Sequence, residues 1–143
     1  MGAVQVNRFG ANRWVRGILR AAATGMGAGL SPVAPGTAGT VVALPLWYWT
    51  GGWGVRHILL LAALLLLSVP AARQEMEATG KPDPASVVID EVAGMLLAST
   101  GIPWSARNAL VLFLLFRLFD IFKFGPAAWL NARRGPVYVV ADD

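Results

Sequence analysis

The amino-acid sequence predicts an all-α integral membrane protein: a helical bundle with about four hydrophobic helices and an N-terminal amphipathic segment at the membrane interface. Only 14% of the 143 residues are charged, whereas roughly 25% are charged in a soluble domain. Hydrophobic residues make up 56% of the chain, and its mean hydropathy is +0.57. Apolar runs are separated by short polar or Gly/Pro-rich links, so we expect one domain over residues 1–143.

The composition also excludes several kinds of site. Because the chain has no cysteine, it has no disulfide, no thiolate zinc site and no cysteine nucleophile. Its net charge is +4, from 12 basic and 8 acidic residues. The basic residues are scattered at segment ends rather than concentrated on the dense face that binds nucleic acid. We therefore expect a lipid bilayer with anionic headgroups as the partner, and no nucleic acid.

Residues 1–24 are expected to form a basic amphipathic segment that lies at the membrane surface. Large apolar residues separate its four arginines, which are Arg8, Arg13, Arg16 and Arg20. This spacing interrupts the continuous apolar core that a signal peptide needs. The alternative interpretation of the segment is a solvated N-terminal arm.

The middle of the chain alternates between apolar helices and links. A Gly/Pro-rich loop is predicted to about Pro35, followed by a helix to about Trp49. Residues 58–72, which include LLLAALLLL, form the clearest membrane segment, although they are fewer than the ~20 residues of a full span. Residues 73–84 are predicted to be a polar link.

Two more helices are expected in the second half of the chain. Asp83 followed by Pro84 is a typical helix start, with an N-cap residue and a proline in the first turn. We therefore predict a helix from there through VVIDEVAGMLLAST, ending at residues 101–103. A further helix is predicted at about residues 105–123, and a short tail follows it.

The distribution of basic residues predicts the topology, because basic loops stay on the cytoplasmic side of a membrane. The residues that mark this side are the N-terminal arginines together with Arg73, Lys81, Lys123, Arg133 and Arg134. The pattern predicts two helical hairpins that turn outside near residues 51–56 and 101–107. We therefore expect a multi-pass protein of the inner (plasma) membrane, with residues 83–91 and 117–123 at the cytoplasmic interface.

Five of the eight acidic residues lie in or beside hydrophobic segments: Asp90, Glu91, Asp120, Asp142 and Asp143. Ionisable groups are expensive inside a membrane and usually face a partner or a water-filled site. Clustered carboxylates suit a hard cation such as Mg²⁺, which prefers oxygen ligands. Asp90 and Glu91 point about 100° apart on a helix, so we expect them to have different roles. The alternative is a set of structural salt bridges with Arg117 or Lys123.

A basic, acidic, basic stripe follows on the last predicted helix. Arg117, Asp120 and Lys123 are spaced three residues apart and therefore share one helical face. Such a stripe suits an anionic headgroup that is held beside a metal ion. The alternative is an intrahelical ladder of ion pairs without a ligand.

The loop GAGLSPVAPGTAGT combines closely spaced glycines with the hydroxyl groups of Ser31, Thr37 and Thr40. Backbone amides in a Gly-rich turn that enters a helix form an anion site. Glycine and threonine also allow membrane helices to pack closely, so the same loop has a purely structural interpretation.

Three ordered segments, GLSPVAPGTAGT, DPASVVIDEVAGM and FRLFDIFK, are followed by a terminal pair of aspartates. Together they resemble the phosphatidylglycerophosphatase A family of bacterial membrane lipid phosphatases, from about Gly25 onward. The resemblance implies Mg²⁺-dependent removal of the terminal phosphate from phosphatidylglycerophosphate, which gives phosphatidylglycerol. It also implies that residues 1–143 form a single membrane phosphatase domain.

Carried over residue by residue, the resemblance implies a carboxylate active site that holds the metal, formed by Asp90, Glu91, Asp120, Asp142 and Asp143. It places a second group around the phosphate of the substrate: Ser31, Gly36, Thr37, Gly39, Thr40, Arg117 and Lys123. The sequence departs from the family pattern at Phe124, where the family usually has proline after lysine. The family also usually continues past the paired aspartates into a further helix, which would follow residue 143.

The residue inventory agrees with metal-assisted chemistry. With one histidine and no cysteine, the chain lacks the groups of histidine-based and cysteine-based phosphatases. Mg²⁺ that aligns a water molecule and a carboxylate nucleophile both remain open as mechanisms. The rival function is a small membrane transporter or assembly subunit whose acids conduct ions or pair between subunits. That function predicts ionisable residues at mid-span, whereas here they lie near segment ends.

Overall fold

The structure, a computed structural model, describes residues 13–122, and throughout this range its regular structure is helical. The described range contains α1 (Arg13–Ala23), α2 (Pro35–Thr50), α3 (Gly54–Thr79), α4 (Ile89–Ser99) and α5 (Ala106–Phe122). A short 3₁₀ turn, Ala28–Leu30, lies in the loop between α1 and α2. The predicted all-α fold is confirmed for residues 13–122. The expectations for residues 1–12 and 123–143 lie outside the described range.

The helices α2 to α5 form two hairpins whose turns meet at one end of the molecule. The amide of Gly101 donates a hydrogen bond of 3.0 Å to the carbonyl of Gly52, which joins the two turns. The indole N–H of Trp47 donates to the carbonyl of Ile102 at 3.0 Å. The ring of Trp47 also packs edge-to-face against Trp104 at 5.1 Å. These contacts fix both hairpins to each other at the end where the chain reverses.

A buried histidine reinforces this end. His57 lies in the first turn of α3 and has an exposed fraction of only 1%. Its Nδ1 lies 2.8 Å from the hydroxyl of Thr50, and its Nε2 lies 3.0 Å from the carbonyl of Leu96 and 3.0 Å from the hydroxyl of Thr100. One imidazole ring thus ties α2, α3 and α4 together.

The core consists of two clusters that meet on α3. The larger cluster joins α2, α3, α4 and α5, and its buried members are Ala43, Trp47, Leu61, Val92, Met95, Leu96 and Ala109. The smaller cluster lies under α1 and is formed by Ala23, Ala71, Ala72, Val87 and Ile89. Because α4 packs against α2, α3 and α5, its first turn has a fixed position between them.

Helix α3 is longer than predicted. It continues to Thr79, so the polar link expected at residues 73–84 is wrong over its first half. The sequence RQEMEA consists of residues with high helix propensity, and charge alone does not end a helix. The helix stops at Gly80, which adopts the left-handed conformation (φ +68°) typical of a C-terminal cap.

Helix α4 begins later than predicted. The expected start at Asp83 and Pro84 is wrong, because the helix begins at Ile89 and Val88 is its N-cap, without a side-chain capping bond. The amide of Val88 instead donates to the carbonyl of Ala23 at 2.8 Å. This tertiary bond holds residues 84–88 in an irregular conformation, so the local capping signal is overridden.

One helix of the described range is long and apolar enough to cross a membrane by itself. Helix α3 has 26 residues, and its most apolar 18-residue window has a mean hydropathy of 2.0. The hydrophobic helices α2 and α4 have 16 and 11 residues, which is below the ~20 residues of a full span, and the described part of α5 has 17. The bundle of four membrane helices stays a prediction.

The histidine at the turns provides a test of this fold. We expect His57→Ala to lower the free energy of unfolding by about 2–3 kcal/mol, because it leaves buried polar groups without partners. Thermal melting in detergent should show a lower Tm for this variant. Arg107→Ala, at an exposed position of the same end, is the control and should change stability by less than about 0.5 kcal/mol. Equal Tm values for His57→Ala and the control would contradict the structural role.

Candidate active site

The candidate site lies at the end of the bundle opposite His57, where three elements converge. These elements are the N-terminus of α2, the first turn of α4 with Asp90 and Glu91, and the last turns of α5 with Arg117 and Asp120. All three helices pack against one another. The site therefore brings together segments that are far apart in the sequence.

At Gly36, the backbone of α2 lies close to side chains of α4 and α5. A Cβ atom on Gly36 would lie 2.8 Å from Oε1 of Glu91 and 3.2 Å from Nη1 of Arg117. Both distances are shorter than ordinary van der Waals contacts, so the backbone of α2 passes directly over a carboxylate and a guanidinium group. The absence of a side chain at Gly36 allows this contact between the three helices.

Arg117 and Asp120 form an ion pair within α5, in which Nη1 of Arg117 donates to Oδ2 of Asp120. Their side chains are 15% and 11% exposed, so the pair is largely shielded from solvent. Both groups also act electrostatically on Glu91, Arg117 favourably and Asp120 unfavourably. Arg117 and Asp120, the described members of the predicted stripe on α5, therefore interact electrostatically with Glu91 of α4.

The two acids of α4 differ in burial. Asp90 is 6% exposed, and Glu91 is partly buried. The two side chains interact with each other. The described part of the site contains three carboxyl groups, those of Asp90, Glu91 and Asp120, and one guanidinium, that of Arg117. With all of these groups ionised, it carries an excess of negative charge.

Oε2 of Glu91 and Nε of Arg117 are buried and have no hydrogen-bond partner among the described residues. Native structures rarely leave such atoms unsatisfied, and an unsatisfied buried group often indicates a missing ion, water or ligand. Oε2 of Glu91 can bind a cation or accept a proton, and Nε of Arg117 can donate a hydrogen bond to an anion.

Helix dipoles contribute to the electrostatics of the site. The N-termini of α2 and α4 carry partial positive charge, which stabilises the carboxylates near them and favours an anionic ligand. The two N-termini therefore support the negative charge of the carboxylates beside them.

The remaining predicted residues of the loop have other contacts. The hydroxyl of Thr40 donates to the carbonyl of Gly36 at 2.9 Å, and that of Ser31 donates to the carbonyl of Val33 at 2.8 Å. A Cβ on Gly39 would lie 2.7 Å from Cβ of Val88, so this glycine allows close packing. Thr37 lies in the first turn of α2.

Three of the predicted residues, Lys123, Asp142 and Asp143, lie outside residues 13–122. Within that range, no group of three or more His, Asp or Glu side chains is arranged to hold a metal ion. The structure thus brings together Gly36, Asp90, Glu91, Arg117 and Asp120, and it leaves Ser31 and Gly39 in contact with other parts of the chain.

Sequence reasoning missed one buried carboxylate. Glu75 was expected in a polar link, but it is fully buried on α3 and bonded to Arg20 and Ser86. The spacing from Ala71 and Ala72 to Glu75 continues the buried face of α3, and this periodicity was the available signal. Because a polar link was expected at residues 73–84, the helical periodicity was not extended to Glu75.

Known proteins resemble the chain over most of its length. It is 30% identical to phosphatidylglycerophosphatase A of Escherichia coli (strain K12) over 129 residues, which cover 85% of this chain and 72% of that protein. It is 33% identical over 138 residues to a putative phosphatidylinositol-3-phosphatase of Bacteroides thetaiotaomicron, covering 84% of this chain and 80% of the relative. No solved structure matches the chain.

The sequence profile of the phosphatidylglycerophosphatase A family matches residues 21–143. This match includes every residue of the candidate site, and it extends over the segments that carry the three motifs. The chain therefore belongs to the phosphatidylglycerophosphatase A family and is a phosphatase.

Proposed function

We propose that this chain hydrolyses the terminal phosphate of phosphatidylglycerophosphate and releases phosphatidylglycerol and inorganic phosphate. Family membership and the name of the Escherichia coli relative support this substrate. The observation that carries the proposal concerns the two side chains that approach Gly36, Glu91 and Arg117. Each of them has a buried atom without a hydrogen-bond partner among the described residues, Oε2 and Nε respectively. A cation and a phosphate bound side by side would satisfy both.

We propose Mg²⁺ as the cofactor. The described side chains offer hard oxygen donors and an excess of negative charge, which fit this ion. Mg²⁺ is usually held by one or two carboxylates together with waters and substrate phosphate, so it does not need three protein ligands in place. The residues that would hold it are Asp90, Glu91, Asp120, Asp142 and Asp143. When bound, Mg²⁺ withdraws charge from the phosphoryl oxygens.

The chain's own residues bind and orient the phosphate. Nε of Arg117 donates to a phosphate oxygen, while Asp120 holds the guanidinium through Nη1. Because Arg117 is planar and can donate from two nitrogens, it fixes the orientation of the phosphate. Lys123 would add a second cation, and the N-termini of α2 and α4 offset the charge that develops in the transition state.

Glu91 is the candidate general base of the reaction. Its Oε2 has no hydrogen-bond partner among the described residues, so it can accept a proton from an attacking water. A carboxylate nucleophile that forms an aspartyl phosphate is the second possible route. In the hydrolytic route, the water oxygen bonds to phosphorus, the bond to the glycerol oxygen breaks, and the leaving oxygen takes up a proton.

We also propose that the bundle is a multi-pass domain in the bacterial inner membrane, with its active site on the cytoplasmic side. Helix α3 supplies one span, and large apolar residues such as Leu66 and Phe119 are exposed on α3 and α5. Helix α1 exposes Arg13 and Arg16 beside Trp14, which is 75% exposed. This amphipathic helix ends beside α4, so an interfacial α1 places the site at headgroup level.

A transporter or assembly subunit is not favoured. The family match supports a phosphatase, and the site acids lie near the ends of α4 and α5 rather than at mid-span. The Bacteroides relative is named for a different phospholipid headgroup. The headgroup preference of this chain is therefore tested by experiment.

The function is tested by phosphate release from purified protein in mixed micelles. We expect release from phosphatidylglycerophosphate with Mg²⁺ and none after chelation by EDTA. Phosphatidylinositol 3-phosphate, assayed in parallel, should be hydrolysed more slowly. Undiminished release in EDTA would contradict the metal assignment, and faster release from the inositol lipid would contradict the substrate assignment.

Carboxylate substitutions test the metal site. Asp90→Asn and Asp120→Asn should each lower phosphate release by about a hundredfold at saturating Mg²⁺, the scale expected for a lost ligand or its support. Asp83→Asn, at an exposed acid before α4, is the matched control and should retain the full rate. Near-normal rates in both site variants would reject the assignment.

Gly36→Ala tests the close approach at the site. The added methyl group would press against Glu91 and Arg117, whose side chains can move, so we expect a folded protein with kcat lowered by about tenfold or more. Gly17→Ala is the control, because a Cβ there meets nothing within 4 Å, and alanine should stabilise α1 by up to about 1 kcal/mol. Equal kcat values for the two variants would show that the contact is not needed.

The absence of cysteine allows a direct test of topology. Single cysteines at exposed positions Lys81 and Arg107 lie at opposite ends of the bundle. In intact cells, an impermeant thiol reagent should label Arg107→Cys, while Lys81→Cys should react only after the inner membrane is opened. The reverse pattern would place the active site on the outer side.

A further inference from the structure

A second buried carboxylate lies outside the candidate site. Glu75 on α3 is fully buried, whereas Glu77 on the same helix is exposed. Oε2 of Glu75 accepts a hydrogen bond of 3.1 Å from Nε of Arg20, and Oε1 accepts one of 2.7 Å from the hydroxyl of Ser86. Its two oxygens therefore bind two different parts of the chain, α1 and the segment before α4.

Burial of the Glu75 carboxylate costs free energy, which its partners must offset. A carboxylate without partners is strongly disfavoured in a protein interior, and even a paired one gains little stability over a well-packed apolar residue. The contact with Arg20, whose side chain is half-exposed, neutralises the charge. The hydrogen bond from Ser86 satisfies the second buried oxygen, and it also ties the segment before α4 to α3.

The segment around Ser86 is held from several sides. A Cβ on Gly29 would lie 2.1 Å from the carbonyl oxygen of Ser86, and one on Gly39 would lie 2.7 Å from Cβ of Val88. The amide of Val88 donates to the carbonyl of Ala23 at 2.8 Å. Backbone from the loop and from α2 therefore packs directly against residues 86–88, and Glu75 holds the side chain of Ser86.

This segment leads immediately into the acidic first turn of α4. Val88 is the N-cap residue and makes no side-chain capping bond, so contacts with residues 86–88 determine where the helix begins. Asp90 and Glu91 follow within three residues. A shift of this segment would displace both carboxylates relative to Gly36 and Arg117.

We propose that Glu75 is a positioning residue for the phosphatase reaction: through Ser86 it fixes the segment that places Asp90 and Glu91. This inference rests on the proposed function of the α4 carboxylates. Glu75 contacts neither substrate nor metal in this role. Its effect on the rate is transmitted by the hydrogen bond from the Ser86 hydroxyl to Oε1.

The two oxygens of Glu75 allow the positioning role to be separated from a purely structural one. Ser86→Ala removes the bond to the segment but leaves the Arg20–Glu75 ion pair, so α1 stays attached to α3. Ser86→Thr retains a hydroxyl group and should rescue the function. Glu75→Gln retains an oxygen that can accept from Ser86, while it loses the charge that faces Arg20. Glu77→Gln is the matched control on the exposed side of α3.

The experiment combines kinetics with hydrogen exchange on the full chain in the same detergent. For Ser86→Ala we expect kcat to fall by about tenfold, the lower end of the range for lost support of a metal-binding residue, with KM within about twofold. The amides of residues 88–92 should exchange faster, while Tm stays close to that of the unsubstituted protein. Ser86→Thr should restore kcat and slow exchange, Glu75→Gln should keep slow exchange at the same amides, and Glu77→Gln should match the unsubstituted chain.

Three results would overturn the proposal. They are an unchanged kcat in Ser86→Ala, unchanged exchange at residues 88–92, or a loss of activity that follows Tm equally in the alanine and threonine variants. If the unsubstituted chain releases no phosphate, the proposed function fails, and the exchange rates still decide whether Ser86 and Glu75 position α4.

Discussion

The close approach of α2 to the start of α4 is the constraint on which the rest of the structure depends. Gly39 leaves no room for a side chain against Val88, and Gly36 leaves none against Glu91 and Arg117. This packing brings the N-terminus of one helix over the acidic first turn of another. A carboxylate and a guanidinium that are 26 positions apart in the sequence, Glu91 and Arg117, thereby share one small space. The charge pattern of the site follows from this backbone geometry.

The two ends of the bundle use polar groups differently. At the turns, His57 is surrounded by Thr50, Thr100 and the carbonyl of Leu96, and each ring nitrogen has a partner. At the other end, Glu91 and Arg117 each retain a buried atom without a hydrogen-bond partner in the described chain. A satisfied polar network stabilises a fold, whereas unsatisfied buried groups are disfavoured unless a ligand completes them. The molecule therefore has a closed structural end and an end suited to binding.

The sequence predicted much of this arrangement, and the failures have physical causes. Gly/Pro content and apolar runs located α2 and the start of α5 to within a few residues, and acids inside apolar segments indicated Asp90, Glu91 and Asp120. The start of α4 was misplaced because the Val88–Ala23 hydrogen bond joins residues that are distant in the sequence. Glu75 was missed for the same reason, since Arg20 is 55 residues away. Local patterns also cannot distinguish Gly36 at the site from Gly39 in the packing interface, because the difference depends on which side chain faces each glycine.

The central claim is that the carboxylate of Glu91, beside Arg117 and under Gly36, belongs to the catalytic centre of a phosphatase. The most direct measurement is the initial rate of phosphate release from phosphatidylglycerophosphate by Glu91→Gln at saturating Mg²⁺, compared with the unsubstituted chain. The substitution preserves the size of the side chain and removes its charge. We expect a rate lower by about a hundredfold, with Tm retained. A rate within about twofold of the unsubstituted protein would contradict it.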